Sequence, residues 1–287
     1  MHPKIGIVAS AHRPQNWMNL YKSIGDNQID FEMVFVGPNP PGYKLPKNFR
    51  FIKSLVKPTQ CLEIAFRNTL AELVMNIADD CVFTIPRPLD RLYETYKSYN
   101  NYKIILSCRY MMDGQEQPIS CSHFFADDPS SPIVPLSGLI SRNLFNHLGG
   151  VDRNFIGIMW DLDIAMRVHA LGGDVILSDV FLDEDKGKST AGSALCEEFW
   201  KHDRVLLEDL WTINGKVVLS RARPVESFSD FNIIKASQGP RGRWRGNGII
   251  LLEKIEDNFP RFKRGILKPS MYGSYVKRII KRLKGAI

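Results

Sequence analysis

Two adjacent carboxylates, Asp79 and Asp80, have the residue type and spacing to bind a metal ion. They stand just before the apolar run 81–85, so we expect them where a strand meets its loop. Ligands of open α/β sheets bind at the carboxyl ends of strands. A divalent cation that carries a diphosphate takes one or two carboxylates there and keeps sites for phosphate oxygens and water. Aspartate is also common in solvated turns, so the pair alone leaves both interpretations open.

A second acidic segment contains Asp161 and Asp163, at the start of a stretch with apolar residues at helical spacing. Carboxylates are favoured at the first turn of a helix by capping and by the helix dipole, which accounts for Asp163. Asp161 stands between Trp160 and Leu162, and these neighbours indicate a partly buried position. Burial raises the pKa of a carboxyl group and suits it to act as a general base.

The elements that must position these aspartates follow from hydrophobic periodicity. Strands are predicted at 4–9, 31–36, 49–52, 81–85 and 102–108, and helices at 16–24, 60–76 and 89–99. This alternation argues for an α/β sheet with helices on its faces. Beyond a polar stretch at 111–131, we expect strands at 133–140 and 174–182, and helices at 141–148, 161–171, 197–211 and 272–283.

Composition excludes several classes of protein. With 287 residues, 44% hydrophobic and 24% charged, the chain is neither disordered nor fibrous. The five cysteines are widely spaced without a C-x-x-C, which disfavours a disulfide framework or a zinc knuckle. No apolar run is long enough to span a membrane and no signal peptide is evident, so we expect a cytoplasmic protein. The glycine-rich phosphate and dinucleotide motifs are absent.

Four segments, taken in order and spacing, resemble the family-2 glycosyltransferases, which have the GT-A fold. The resemblance covers roughly residues 4 to 215. The segments are the strand and loop 5–14, which ends in Arg-Pro; the pair Arg67-Asn68 ahead of Asp79-Asp80; the Gly-Gly-Val-Asp segment 149–152; and the helix 160–167, Trp-Asp-Leu-Asp-Ile-Ala-Met-Arg. The fold implied is a mixed α/β sheet flanked by helices, with a C-terminal helical extension.

The resemblance implies a role for each matched residue. Asp80, with Asp79 beside it, would hold Mn²⁺ or Mg²⁺ on the diphosphate of a nucleotide-sugar donor. Asp161 would take the proton from an acceptor hydroxyl as that oxygen attacks the anomeric carbon, which inverts the configuration. The protein would then be a glycosyltransferase of the hexosyltransferase type, acting on a glycan or a lipid-linked glycan. Residues expected around the nucleoside are Ala9, Ala11, Arg13 and Arg67, and those expected at the acceptor are Trp160, Ser137 and Gly138.

Two departures from the family pattern bear on specificity. The second strand ends in Gly37, Pro38 and Asn39, where the family has a pair of aspartates that help to hold the nucleotide. The resemblance therefore does not predict which nucleobase the donor carries. Trp160 replaces the usual glutamate before Asp161, so an indole ring would make the acceptor contact instead, and aromatic rings commonly stack on sugars.

Positive charge is concentrated at the C-terminal end. The net charge is +7, and nine basic residues with no acidic ones lie between Arg261 and the end, so +7 − 9 leaves −2 for residues 1–260. In 272–287, apolar residues recur at helical spacing among lysines and arginines, which predicts a basic amphipathic helix. Segment 270–287 could bind to one of three surfaces: the protein's own body, a dimer partner, or an anionic membrane.

We therefore predict three parts: a GT-A domain at 1–220, a mobile loop or lid segment at 221–248, and a basic extension at 249–287. The segment 239–248 interleaves three arginines and a tryptophan with glycines, as in a lid over phosphates, an RNA-binding segment or a solvated loop. Two alternatives stay open. One is a nucleotidyltransferase of similar fold, although the loop after the first strand lacks glycine. The other is a nucleic-acid-binding protein that uses residues 239–284.

Overall fold

The computed structural model describes residues 2–112, 114–125, 131–152, 154–184 and 190–218. The predicted lid segment 221–248 and the basic extension 249–287, with its amphipathic helix, lie outside these residues. The domain boundaries and the C-terminal helix therefore stay predictions.

Strands and helices alternate through the first half of the chain. They are β1 (Ile5–Ser10), α1 (Pro14–Ile24), β2 (Phe31–Gly37), β3 (Phe49–Lys53), α2 (Pro58–Asn68), β4 (Leu73–Asn76), β5 (Cys81–Phe83), α3 (Pro88–Ser98) and β6 (Ile104–Met112). The second half contains β7 (Gln115–Glu116), a 3-10 helix (Pro118–Cys121), β8 (Gly138–Ser141), α4 (Arg142–His147), α5 (Trp160–Ala170), β9 (Asp174–Glu184), α6 (Thr190–Trp211), β10 (Thr212–Ile213) and β11 (Lys216–Val217). Proline occupies the first turn of α1, α2 and α3, where its missing N–H costs no hydrogen bond.

Nine of the described strands form a mixed sheet in the order β3-β2-β1-β4-β8-β6-β9-β5, with β7 paired to β6, and β10 and β11 form a separate antiparallel pair. Strand β1 is parallel to β2 and β4, and β6 is parallel to β9, whereas β8 runs antiparallel to β4 and β6. Strand β5 is antiparallel to β9. The carboxyl ends of the parallel strands therefore lie on the same side of the sheet as the first residues of β8 and β5. We call this side, where the parallel strands end, the carboxyl edge. Residues at this carboxyl edge include Ser10, Gly37, Asn76, Gly138 and Glu184.

Side chains of each strand alternate between two cores, one on each face of the sheet. Ile5, Ile7 and Ala9 enter the core shared with α1 and α3. Val8 and Val34 enter the opposite core, which is shared with α2, α4, α5 and α6. Burying both faces removes apolar surface from water on each side of the sheet and stabilises the three-layer arrangement. The predicted mixed α/β sheet with flanking helices is confirmed.

One predicted helix is wrong. We expected a helix over 60–76, but α2 ends at Asn68 and 73–76 form β4, at the centre of the sheet between β1 and β8. Leu73, Val74 and Met75 are all buried, because a central strand is covered on both faces. Such a short apolar run has no alternation, so periodicity alone does not distinguish it from a buried helix.

Candidate active site

The loop after β1 is organised by Asp79. The backbone N–H groups of His12 and Arg13 donate to Asp79 Oδ2 at 2.6 and 2.7 Å, and Trp17 Nε1 donates to the same oxygen at 3.2 Å. Arg13 Nε donates to Oδ1 at 2.7 Å. Asp79 is buried, and both of its oxygens are engaged within the chain. Asp79 therefore holds the β1–α1 loop and the Arg13 guanidinium in place.

The neighbouring Asp80 has one carboxylate oxygen without a hydrogen-bond partner among the described residues. Its Oδ2 forms an ion pair with Arg13 Nη1, whereas Oδ1 is buried and has no hydrogen-bond partner among the described residues. Cys81 pairs with Glu184 across β5 and β9, so Glu184 lies beside Asp80. The pKa of Asp80 is raised to about 6, chiefly by burial; Arg13 opposes the rise, and the carboxylates of Glu184 and Asp79 add to it.

These residues fit a divalent cation that is bound together with a diphosphate. Among the described residues, no three His, Cys, Asp or Glu side chains form a complete metal site. Mg²⁺ on a nucleotide, however, is typically held by one or two carboxylates, with phosphates and water as the other ligands. Asp80, through its unpartnered Oδ1, and the adjacent Glu184 would be the two carboxylate ligands. The geometry thus favours Asp80 over Asp79 as the ligand of a cation.

Glu184 was missed by the sequence reasoning. The available signal was the acidic run Asp183-Glu184-Asp185 directly after a predicted apolar strand. A strand that ends in carboxylates places them at the carboxyl edge of a parallel sheet, where ligands bind.

Asp161 lies in the first turn of α5 and lines a small cleft that is partly open to solvent. Its Oδ1 accepts a hydrogen bond from the Leu162 N–H at 2.9 Å. Burial raises the pKa of Asp161 to about 6, close to the value at which a carboxylate works as a general base near neutral pH. The other residues that line the cleft are Phe66, Asn76, Ile105, Pro135, Gly138, Ile140, Trp160 and Ile164.

Two of the three predicted acceptor residues share this cleft with Asp161. Gly138 lines it where a Cβ atom would lie 2.5 Å from the Ile105 side chain, and its N–H donates to Asn76 Oδ1 at 3.0 Å. Trp160 lines it too, but the residue is only 7% exposed, so its ring forms a wall and not an open stacking platform. Asn76, which sequence reasoning missed, is the one neutral polar side chain among the lining residues.

Ser137, the third predicted acceptor residue, is not brought to the cleft. It is completely buried, and its hydroxyl lies 3.2 Å from Tyr110 Oη. Ser137 lies in the turn that precedes β8, where its hydroxyl is directed toward Tyr110 of β6, whereas Gly138 is the first residue of β8 and lines the cleft.

The residues predicted around the nucleoside divide into two groups. Ala9, Ala11 and Arg13 meet at the carboxyl edge, although the side chains of both alanines are buried in the core. Arg67 lies in the last turn of α2, where it pairs with Glu63, next to the start of β4 and therefore at the opposite edge of the sheet. We remove Arg67 from the expected nucleotide contacts for this reason.

Asp163 and Arg167 tie α5 to its surroundings. The two side chains form an ion pair at 2.8 Å, and Asp163 Oδ1 accepts from Trp211 Nε1 at 2.9 Å. Arg167 donates to the carbonyls of Leu148 and Gly150 at 2.7 and 2.8 Å. The matched Asp-x-x-x-Arg spacing therefore joins α5 to α6 and to the turn at 149–150.

No protein-family model and no curated protein sequence matches the chain. Solved structures of S. aureus TarS do match. TarS 1-349 superposes with a TM-score of 0.52 at 11% identity, over 76% of this chain and 68% of that one. The same protein in complex with UDP-GlcNAc gives 0.51 at 11% identity, over 76% and 69%. A longer TarS structure gives 0.52 at 12% identity, with 41% of its length covered.

The chain has the GT-A fold. Identity as low as 11% shows a shared fold and nothing finer. As a separate finding, none of the helices in the described ranges is both long and apolar enough to cross a bilayer.

Proposed function

We propose that the protein is a metal-dependent glycosyltransferase of the family-2 type, which moves a sugar from a nucleotide-sugar donor to an acceptor hydroxyl. One observation carries the proposal: Asp80, with an unpartnered buried oxygen, lies next to the β5–β9 pairing at the carboxyl edge of a GT-A sheet, and Asp161 lines a cleft with Asn76 and Gly138 of the same edge. The TarS structures solved with UDP and UDP-GlcNAc support a nucleotide-sugar donor.

On the donor side, Asp80 and Glu184 would hold Mn²⁺ or Mg²⁺. The cation supplies charge neutralisation at the leaving nucleoside diphosphate. Asp79 keeps the β1–α1 loop closed through the N–H groups of His12 and Arg13, so the loop is preorganised before the nucleoside binds. Arg13 stays beside both aspartates and offsets part of their mutual repulsion.

On the acceptor side, Asp161 would accept the proton of the hydroxyl group as its oxygen attacks the anomeric carbon. The bond between that carbon and the diphosphate breaks as the new glycosidic bond forms, and a single displacement of this kind inverts the configuration. The apolar lining of the cleft keeps water from the reacting carbon, which favours transfer over hydrolysis. We propose a glycan or a lipid-linked glycan as the acceptor.

A donor screen tests the proposal. Purified protein with Mn²⁺ is incubated with a panel of nucleotide-sugars, and nucleoside diphosphate release is measured with and without candidate glycan acceptors. We expect release from one class of donor, dependent on the cation. Asp161→Asn should lower turnover by about 10²–10⁴-fold with unchanged donor affinity.

Asp179→Asn is the matched control, because Asp179 is an exposed carboxylate on β9 and should leave turnover unchanged. Failure of every nucleotide-sugar to bind, or full activity of Asp161→Asn, would contradict the proposal. Pyrophosphate release from a nucleoside triphosphate and a sugar phosphate would instead indicate a nucleotidyltransferase.

A further inference from the structure

A buried carboxylate on α6 holds the loop that leads into the helix of Asp161. Asp203 is completely buried. Its oxygens accept hydrogen bonds from three consecutive backbone N–H groups, those of Ile156 at 3.0 Å, Gly157 at 2.8 Å and Ile158 at 3.0 Å. Three successive N–H groups that converge on one carboxylate fix the backbone of all three residues, and hydrogen bonds to a charged acceptor are the strong ones.

The carbonyl side of the same loop is held by α2. Thr59 is also completely buried, and its hydroxyl lies 2.6 Å from the carbonyl oxygen of Phe155 and 3.2 Å from that of Ile156. Asp203 and Thr59 therefore clamp the segment 155–158 from two different helices. All four backbone N–H groups of the segment and the carbonyls of Phe155 and Ile156 are engaged, which leaves the segment little freedom to shift.

This clamped segment sets the point at which α5 begins. Met159 follows Ile158 directly and has a φ of +62°, in the left-handed region that residues other than glycine rarely adopt. Such a conformation persists only where the surroundings determine it. The Met159 carbonyl then accepts the N–H of Asp163 at 3.0 Å, which starts the helix with Asp161 in its first turn.

We infer that Asp203 is a positioning residue for the reaction, and this inference rests on the proposed role of Asp161 as general base. Asp203 is not among the residues that line the cleft; its carboxylate contacts the backbone N–H groups of 156–158, and its Oδ1 also lies 2.8 Å from His202 Nδ1. The chemistry requires a carboxylate. An asparagine of the same shape keeps one acceptor oxygen and turns an NH₂ group toward N–H donors, so part of the clamp is lost.

A double-mutant cycle on the full chain separates positioning from a general loss of stability. Asp203→Asn should lower kcat by about 10–100-fold, since a displacement of about 1 Å of a reacting group costs on that order, while KM and donor affinity stay unchanged. In the Asp161→Asn background, the same substitution should lower kcat no further. Glu208→Gln, an exposed carboxylate on the same helix, is the matched control and should have no effect.

An equal fold-decrease in both backgrounds, or no decrease in either, would overturn the inference. Should Asp203→Asn fail to fold, Thr59→Val weakens the other side of the clamp and takes its place in the cycle. If the wild-type protein turned over no nucleotide-sugar, the proposed function would be contradicted instead. The positioning role would then be tested by a measurement that does not depend on turnover.

That measurement is amide hydrogen exchange. Peptides that cover 156–163 should exchange faster in Asp203→Asn than in Glu208→Gln, and the ¹³C titration of the Asp161 carboxyl should shift toward its ordinary pKa. Unchanged exchange and an unchanged titration would overturn the inference whatever the turnover.

Discussion

Asp161 combines a charged side chain with apolar surroundings, and this combination decides how it responds to pH. The carboxyl group has its pKa raised to about 6 by burial against the walls of the cleft. A general base works only when it is ionised, so the group loses its function as pH falls through this value.

We therefore predict that kcat falls about tenfold for each pH unit below 6 and is level above it, because the protonated fraction of Asp161 then controls the rate. The measurement is a pH–rate profile at saturating donor, with donor affinity determined separately at each pH. A rate that stays level down to pH 5 would exclude Asp161 as the base.

The same raised pKa has a consequence for stability. The native state binds the Asp161 proton more tightly than the unfolded chain, in which the pKa is near 3.8. Between about pH 4 and pH 6 the native state therefore holds more protons, so stability falls as pH rises and the whole penalty is present above pH 6.

From this sign we predict that Asp161→Asn raises the melting temperature at pH 7, because the amide carries no charge to bury. The gain should disappear as pH is lowered to about 4, where both proteins are neutral at this position. Thermal denaturation at the two pH values measures it. Asp179→Asn, at an exposed ion pair worth little, should show no such gain. A melting temperature of Asp161→Asn below that of the wild type at pH 7 would contradict the burial argument.

Asp80 and Glu184 are expected to act together on a cation. We predict that Asp80→Asn weakens the Mn²⁺-dependent part of UDP affinity by more than about tenfold, and that Glu184→Gln weakens it too, since each removes a charged oxygen ligand. Calorimetric titration of UDP with Mn²⁺ and with EDTA isolates that part. Asp179→Asn serves again as the control on β9. Equal Mn²⁺ dependence in wild type and Asp80→Asn would remove the assignment.

Among the elements, β2 and the β1–α1 loop approach each other closely at the carboxyl edge. A Cβ atom on Gly37 would lie 1.8 Å from the carbonyl oxygen of Ala11, so only glycine allows β2 to end where it does. The loop is also tied to Asn39, whose side-chain amide donates to the His12 carbonyl at 3.2 Å. The Gly-Pro-Asn sequence that departs from the family pattern is thus a packing feature of this edge.

Gly37→Ala is accordingly predicted to lower the free energy of unfolding by about 1–3 kcal/mol, the usual cost of overpacking, and to weaken UDP binding because the loop must move. Urea denaturation and calorimetry give the two quantities. Gly42→Ala is the matched control, since a Cβ atom there would meet nothing within 4 Å. Equal stability of the two variants would show that the loop yields without cost.

At the scale of the whole molecule, charge separates the chain into a body of net −2 and a C-terminal segment of nine basic residues. We predict that the full chain co-sediments with anionic vesicles at low salt, whereas a chain shortened after Lys268 does not. Each lysine or arginine near such a surface contributes about 1 kcal/mol, and the apolar stripe of 272–287 adds interfacial burial.

Vesicles of uncharged phosphatidylcholine and added salt are the controls for this charge effect. Binding that is indifferent to lipid charge, or equal binding of the two chains, would leave docking on the protein itself or on a second copy as the better account of the segment.

Sequence patterns alone predicted the three-layer α/β fold, most of its elements and the two acidic positions Asp80 and Asp161. Hydrophobic period and turn residues report on neighbours within about ten residues, which is enough to place a strand, a helix and the aspartate at its end. The helix predicted through β4 shows the limit. Burial on both faces of a central strand is a property of the sheet and leaves no alternation in the chain.

Only the tertiary structure decided which residues each candidate site residue contacts. Asp79 receives its partners from residues more than 60 positions away, and Asp203 meets Ile156–Ile158 across more than 40. Glu184 reaches Asp80 through strand pairing, and Arg67 is carried to the opposite edge by the direction of α2. Local sequence carries no record of such distant pairings, because they arise from the order and direction in which the strands and helices pack.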